Sequence, residues 1–515
     1  MSLNLAHYLN VTSEVYPNVT AAMLDDYRMS YAELADGVRR VANVLCEKGI
    51  EKGDKVAMMV PNTPHFPILY YAILSCGATV VPVNCLYKAK EIQYYLEDSE
   101  ARAFFYWKGF RQEAVKAFTA TETCHSLIEV AHPDDVEPPP VGESLTPLFL
   151  SASSKFDLVQ TMPDDTAVIL YTSGTTGSPK GAELTHFNMF FNAFLVKEHL
   201  ARIRPGDVSL VVLPLFHSFG QTCVQNAGIL AGATLTMLPR FESQKALEII
   251  QRDKVNLMAA VPTMFHFMLN AALEADYDFA SVRLALSGGS ALPVELLRRF
   301  EERFGIRILE GYGLSETSPV ASFNLLDRPS KPGSIGLPIW GVDMRIMREG
   351  GQFAELGEIG EIVIRGHNLM KGYYKKPAAT EEAVVDGWFH TGDLAKVDGD
   401  GYFFIVDRKK DLIIRGGMNI YPREIEEVLY AHPDVQEAAV IGIPDELRGE
   451  EVQACVALRS GASVSSEDLT AFCEERLAKF KVPKQIDILP SLPKGPTGKI
   501  LKRELRDAAL ASLNS

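Results

Sequence analysis

Apolar residues along the chain fall into short β-branched runs that stop at Gly or Pro and give way to segments with apolar positions three and four apart. The runs begin at Lys55 (KVAMMVPN), Ala78 (ATVVPVN), Thr166 (TAVILYTSG), Ser209 (SLVVLP), Val282 (VRLALSGG) and Ile306 (IRILEGYG). Strands alternating with helices predict parallel sheets covered by helices on both faces. Helix starts are marked by Thr185 ahead of HFNMFFNAFLVKEHL and by Pro293 ahead of Leu296, Leu297 and Phe300. After about Gly333 the pattern changes to short strands punctuated by glycine (GSIGLPIWGVDMRIM, GEIGEIVIRG), which predicts a β-rich subdomain. A charge run meeting paired glycines, DRKKDLIIRGG from Asp407 to Gly417, reads as a linker. Beyond it, REIEEVLYAH predicts a helix, VQEAAVIGIP and EVQACVALRS strands, SSEDLTAFCEERLAKF a capped helix and QIDILP a last strand. These elements make an α/β domain of about 100 residues.

The pattern divides the chain into 1–408 and 409–515, and its length agrees. At 515 residues it exceeds the roughly 250–300 at which a single core stops growing. With 47% hydrophobic and 23% charged residues it has the composition of a folded protein. The longest apolar stretch, from Tyr70 to Val83, is broken by polar residues and shorter than the roughly 20 that span a bilayer, so no integral membrane segment is expected. No basic flank and apolar run open the chain, so no signal peptide is expected. A formal charge of −15 argues against a general nucleic-acid binder, which needs Lys and Arg to neutralise phosphates. Seven scattered cysteines without C-x-x-C spacing fit a reducing, cytoplasmic setting.

Candidate chemistry begins at Tyr171-Thr172-Ser173-Gly174-Thr175-Thr176-Gly177-Ser178-Pro179-Lys180-Gly181, directly after an apolar strand. Glycines admit an anion to backbone N–H groups, hydroxyls add donors and Lys180 adds charge, a composition suited to phosphate. It is not a G-x-x-x-x-G-K-[ST] loop, because Lys180 follows Pro179 and precedes Gly181. Taken alone, it fits a flexible surface loop equally. Four further segments follow in order. Tyr312-Gly313-Leu314-Ser315-Glu316-Thr317 combines a stacking aromatic, hydroxyls and a carboxylate, which suits a base and a metal-bound phosphate. Asp393, ending GWFHTGD, either accepts ribose hydroxyls or only forms a turn. Arg408 reaches a ribose or phosphate, or is solvated with its charge run. Lys499, in PKGPTGKI, is a point charge on a stiffened loop or a solubility residue.

Together and in this order, the segments resemble the adenylate-forming superfamily of acyl-CoA synthetases, peptide-synthetase adenylation domains and beetle luciferases. The likeness runs from about Tyr31 to Leu501 and is closest in motif to fatty-acid–CoA ligases. It implies an α/β fold: a large N-terminal domain of layered α/β subdomains plus a β-barrel subdomain at about 333–408, and a small mobile C-terminal α/β domain. It implies ATP, Mg²⁺ and coenzyme A, with a small-molecule carboxylic acid as substrate; a homodimer is compatible with it.

Carried over residue by residue, Thr172, Ser173, Gly174, Thr175, Thr176, Gly177 and Lys180 would hold the phosphates. Tyr312 would stack on adenine beside Gly289 and Gly313, and Ser315 would stand where the family usually has a Thr on the α-phosphate. Glu316 would bind Mg²⁺, Asp393 and Arg408 the ribose, and Lys499 would be the adenylating lysine. Lys410 would be the hinge, and Gly417 would line the path of the pantetheine arm.

A carboxylate is ionised at pH 7, so its attack on the α-phosphorus needs no general base. The obstacle is the meeting of two anions, which positioned cations relieve. The thioester step needs other surroundings, and a hinge at Lys410 would exchange Lys499 for the Gly417 face.

By the same similarity the segment from Leu215 to Thr234 would border the acyl pocket, and it contains no Asp, Glu, Lys or Arg. An uncharged tail is expected, and Phe216 followed by His217 rather than Asp disfavours an amino acid, whose ammonium would lack a partner. His217 touches the substrate carboxylate or adenylate, or is a packed histidine. Gly228, Gly232, Gly288, Gly289 and Ala291 leave room for a tail or serve close packing. A fatty acid is the first expectation and an aryl or arylalkanoic acid the second; an enzyme loading a carrier protein would share every motif.

Overall fold

A computed structural model describes residues 2–132, 134–135, 137–172, 178–272, 275–459, 461–495 and 498–513. Ser173, Gly174, Thr175, Thr176 and Gly177, expected to hold phosphate, lie outside them. All six apolar runs are strands, and they divide between two sheets.

One sheet has eight strands. Outward from Thr166–Thr172 its neighbours Thr79–Pro82, Lys55–Met59, Ala101–Trp107, Ser126–Val130 and Glu143–Ser144 run parallel. On the other side Thr166–Thr172 pairs antiparallel with Lys180–Thr185, Thr172 lying opposite Lys180. The helix expected at Thr185 comes only after this second strand. The helix follows at His186–Leu195, its start closed by reciprocal bonds between Thr185 and Asn188.

The second sheet has nine strands, with Ile308–Gly313, Leu284–Ser287, Leu257–Ala260, Val208–Val211, Thr234–Met237 and Thr20–Leu24 parallel at its centre. Both sheets contribute to one core, which holds the buried rings of Phe66, Tyr70, Phe105, Phe265 and Phe300. The helix His65–Ser75, apolar nearly all round, lies inside it, as its sequence requires.

The expected barrel takes the form of an antiparallel five-stranded sheet. Val342–Met347, Gly360–Gly366 and Trp388–Val397 run in order, and Val384–Val385 and Phe403–Arg408 both pair with Trp388–Val397. A bridge from Phe403 to Gly336 ties its last strand back to the segment before its first.

A separate sheet follows Arg408. Val435–Asp445, Gly449–Leu458 and Gln485–Leu489 are its main strands, over cores of their own. The linker is shorter than its charge run suggested, because Ile413–Arg415 and Met418–Ile420 already pair in this sheet. They turn on Gly416 and Gly417, at φ +57° and +79°. A helix, Lys502–Leu513, continues past the strand expected to be last and packs Leu505 and Ala509 on that core. Among the described residues no helix is long and apolar enough to cross a membrane.

Candidate active site

The C-terminal ends of the parallel strands in both large sheets meet at one cavity of 1060 Å³, where open α/β sheets bind ligands. Leu170 to Thr172, Gly288 to Ser290 and Gly311 to Gly313 reach it from strand ends, and Lys180 enters from the hairpin.

Three predicted residues meet on one wall. Tyr312 Oη donates to Asp393 Oδ2 at 2.6 Å, and Arg408 Nε lies 3.2 Å from Asp393 Oδ1. Asp393 and Arg408 are opposite each other in adjacent strands, so the sheet sets the pairing. Burial, then the Asp393 charge, holds the Tyr312 hydroxyl protonated far above its usual range. Asp393 is thus an oriented carboxylate at the cavity edge.

Ser315 and Glu316 lie on a 3₁₀ turn, Ser315–Thr317. The Leu314 N–H donates to Thr317 Oγ1 at 2.8 Å, and the Met370 N–H to the Glu316 carbonyl at 2.8 Å. Glu316 Oε1 accepts from Thr172 Oγ1 at 3.2 Å and Tyr373 Oη at 2.9 Å. Among the described residues both side-chain bonds of Glu316 fall on Oε1, which leaves Oε2 as an acceptor. No group of three or more metal-ligating side chains occurs among the described residues. A single carboxylate at the cavity wall nonetheless fits Mg²⁺, which commonly takes one or two carboxylates plus substrate phosphates and water. Lys180 Nζ lies 5.2 Å from the centre of the Tyr373 ring.

Lys499 comes from the small domain and lines the same cavity. Its neighbour Gly498 has φ +79°, and a Cβ there would stand 2.6 Å from Thr263 Oγ1, so glycine lets the loop press against the large domain. Burial, followed by the Arg408 charge, draws the Lys499 ammonium down to about 8 while Asp393 opposes this. Lys410 stands at the mouth. Gly417 is exposed on its hairpin and does not line the cavity.

At the apolar end, His217 Nδ1 accepts from the Phe219 N–H at 3.3 Å, which leaves the ring proton on Nε2. Burial, with Lys499 adding to it, holds His217 neutral down to about pH 4. Phe216, Phe219, Val261 and Phe323 form walls, and Gly288 and Gly289 line the space. A Cβ on Gly288 would sit 3.2 Å from the Phe219 ring. Of the small residues, Gly228 and Gly232 serve close packing, and the expectation that Ala291 borders the acyl pocket is corrected. Gly228 lies against Leu235 and Gly232, at φ +76°, ends a helix against Tyr16; neither lines the cavity. Ala291 faces a smaller cleft of 180 Å³ between the large domain and the last sheet.

The model of the AMP-binding enzyme family matches residues 9–374, and that of the AMP-binding enzyme C-terminal domain matches residues 424–499. The chain belongs to the AMP-binding enzyme family. A long-chain-fatty-acid–CoA ligase of Bacillus subtilis is 38% identical to it over 95% of this chain and 92% of its own length. A feruloyl-CoA synthase of an Amycolatopsis species is 37% identical over 95% and 96%. The crystal structure of the anthranilate CoA ligase AuaEII with anthranoyl-AMP superposes with a TM-score of 0.93 at 27% identity, covering 100% of this chain and 98% of that one. This AMP-binding enzyme is an acid–thiol ligase of the AMP-forming acyl-CoA synthetase kind. Sequence reasoning passed over one feature of its site, Tyr373, which holds Glu316 and underlies Lys180; the aromatic pair in MKGYYKK was the available signal.

Proposed function

We propose that the enzyme joins a carboxylic acid with an uncharged tail, a fatty acid in first place, to AMP with loss of pyrophosphate, and then passes the acyl group to coenzyme A. The observation that carries this reading is Lys499, brought by the small domain to the cavity that holds Asp393, Arg408 and Glu316. Residues up to Arg408 would hold nucleotide and acid, and residues 409–515 would deliver the lysine.

Asp393, held by Tyr312 and Arg408, accepts the ribose hydroxyls, and the Tyr312 ring supplies a face for adenine. Ser315, Thr172 and Lys180 bind phosphate oxygens. Mg²⁺ held by Glu316 would neutralise phosphate charge when bound. His217, neutral with its proton on Nε2, donates to a carboxylate oxygen of the acid. Lys499 stabilises the charge that develops around the α-phosphorus, where positioned cations supply most of the acceleration. Rotation about Lys410 then withdraws Lys499 and brings Gly417 to the path of the thiol.

The apolar lining and the fatty-acid–CoA ligase relative support a fatty acid. A second reading, an aryl acid, rests on one observation: the Phe323 ring stands where a Cβ of Gly311 would be and the Phe219 ring lies 3.2 Å from where a Cβ of Gly288 would be, making flat walls. A panel of fatty, cinnamic and benzoic acids, assayed for acid-dependent pyrophosphate release and then for thioester with free coenzyme A, separates the two. Release with none of them would defeat both.

A further inference from the structure

The carboxylate of Glu310 takes no part in the chemistry above. It lies two residues before Tyr312, is 5% exposed, and accepts from the Leu292 N–H at 3.0 Å. Burial pushes it up to about 7, and the charge that most opposes burial is Arg423, which belongs to the small domain.

Arg423 lies in the first turn of the helix Pro422–Tyr430, its side chain only 13% exposed. It is gripped by Phe403–Arg408, the large domain's last strand. Its backbone N–H donates to Asp407 Oδ2 at 2.8 Å, and its Nη1 donates to the Ile405 carbonyl at 2.9 Å. The helix has no side-chain cap of its own, so Asp407 supplies from across the linker an acceptor its N-terminus lacks. One turn further, Glu427 stands 3.8 Å from Arg423 Nε. Glu427 also faces the Val294 N–H, at the start of a large-domain helix that likewise has no side-chain cap.

We propose that Arg423 is a positioning residue: clasped by Ile405 and Asp407, it latches the small domain in the orientation that seats Lys499 in the cavity. This rests on the roles of Lys499 and Lys410 given above. The bonds join residues on opposite sides of the Lys410 pivot, so a rotation that withdraws Lys499 breaks them together. Contacts made in one orientation alone set the balance between the two. Arg423 therefore favours adenylation over the thioester step without touching a substrate.

The test compares wild type with Arg423→Met. Each is assayed for acid-dependent exchange of pyrophosphate into ATP, and separately for thioester formation from supplied acyl-adenylate and coenzyme A. Wild type performing both half-reactions tests the ligase reading itself; the ratio between them in the variant tests the latch. Arg423→Met is expected to slow exchange at least about tenfold and leave thioester formation within about twofold, a selective loss that a general folding defect would not produce. Trypsin cleavage after Lys409 and Lys410 should accelerate in the same variant. Equal losses in both half-reactions, unchanged exchange or unchanged cleavage would each overturn the proposal.

Discussion

Replacing Lys499 with Met removes an ammonium from a place where burial, Arg408 and Lys410 all oppose its charge. Lowering the ammonium from 10.5 to about 8, at about 1.36 kcal/mol per tenfold, amounts to a cost of about 3 kcal/mol. A lysine whose folded value is depressed destabilises the fold fully below that value, here below about pH 8, and the cost fades as pH rises toward 10.5. At pH 7, Lys499→Met should therefore stabilise the nucleotide-free chain by up to about 3 kcal/mol, an upper bound because domain opening rehydrates the ammonium. Near pH 10 the advantage should shrink below about 1 kcal/mol. Urea unfolding of both proteins at the two pH values measures it. Acid-dependent adenylation by the variant should fall about 10²–10³-fold, as expected for losing one charge-stabilising donor. Wild-type kcat/KM for adenylation should decline as pH rises through about 8, since the free enzyme then loses the ammonium. A variant no more stable than wild type at pH 7, or equally favoured at pH 10, would refute the account of Lys499 as a charge held at a cost.

Other substitutions test other walls of the cavity. Tyr312→Phe keeps the ring but removes the hydrogen bond to Asp393, and should raise the KM for ATP about tenfold or more, since bonds to charged groups are worth about 1.5–3 kcal/mol; an unchanged KM would separate Asp393 from nucleotide binding. Glu316→Gln keeps the shape and removes the charge, so the Mg²⁺ concentration for half-maximal adenylation should rise steeply; an unaltered Mg²⁺ titration would show that Glu316 is not the metal carboxylate. Gly288→Val meets the Phe219 ring already at its Cβ and should raise the KM for the acid while leaving that for ATP unchanged. His217 stays neutral down to about pH 4, so no inflection near 6.5 should appear in the adenylation profile that His217→Gln removes.

Much of this architecture was legible in the chain because buried parallel strands are marked by unbroken β-branched runs, as at Lys55 and Val282. The strand Lys180–Thr185 was not, since KGAELT is short and carries no unbroken apolar run. The last helix escaped because its alternating charged and small residues give only a weak apolar stripe. Among site residues, Tyr312, Asp393, Arg408, Glu316 and Lys499 were found by motif and converge on one cavity. Gly228 and Gly232 stayed open between two readings because an absent side chain signals space without saying whether a ligand or another residue fills it. Arg423 was invisible for a different reason. Its importance lies in what a distant strand places against it, and no local pattern encodes that.

The pairing of Asp393 with Arg408 has a mechanical meaning. Arg408 is the end of its strand, and Lys410 follows two residues later. The proposed pivot thus begins immediately beyond the groups proposed to hold the ribose, as a door hinge is screwed to the jamb beside the lock. A bound adenylate would stiffen the fixed leaf and leave the moving one free. In the proposed cycle the small domain would then turn to offer a new face to the thiol while the activated intermediate keeps its place.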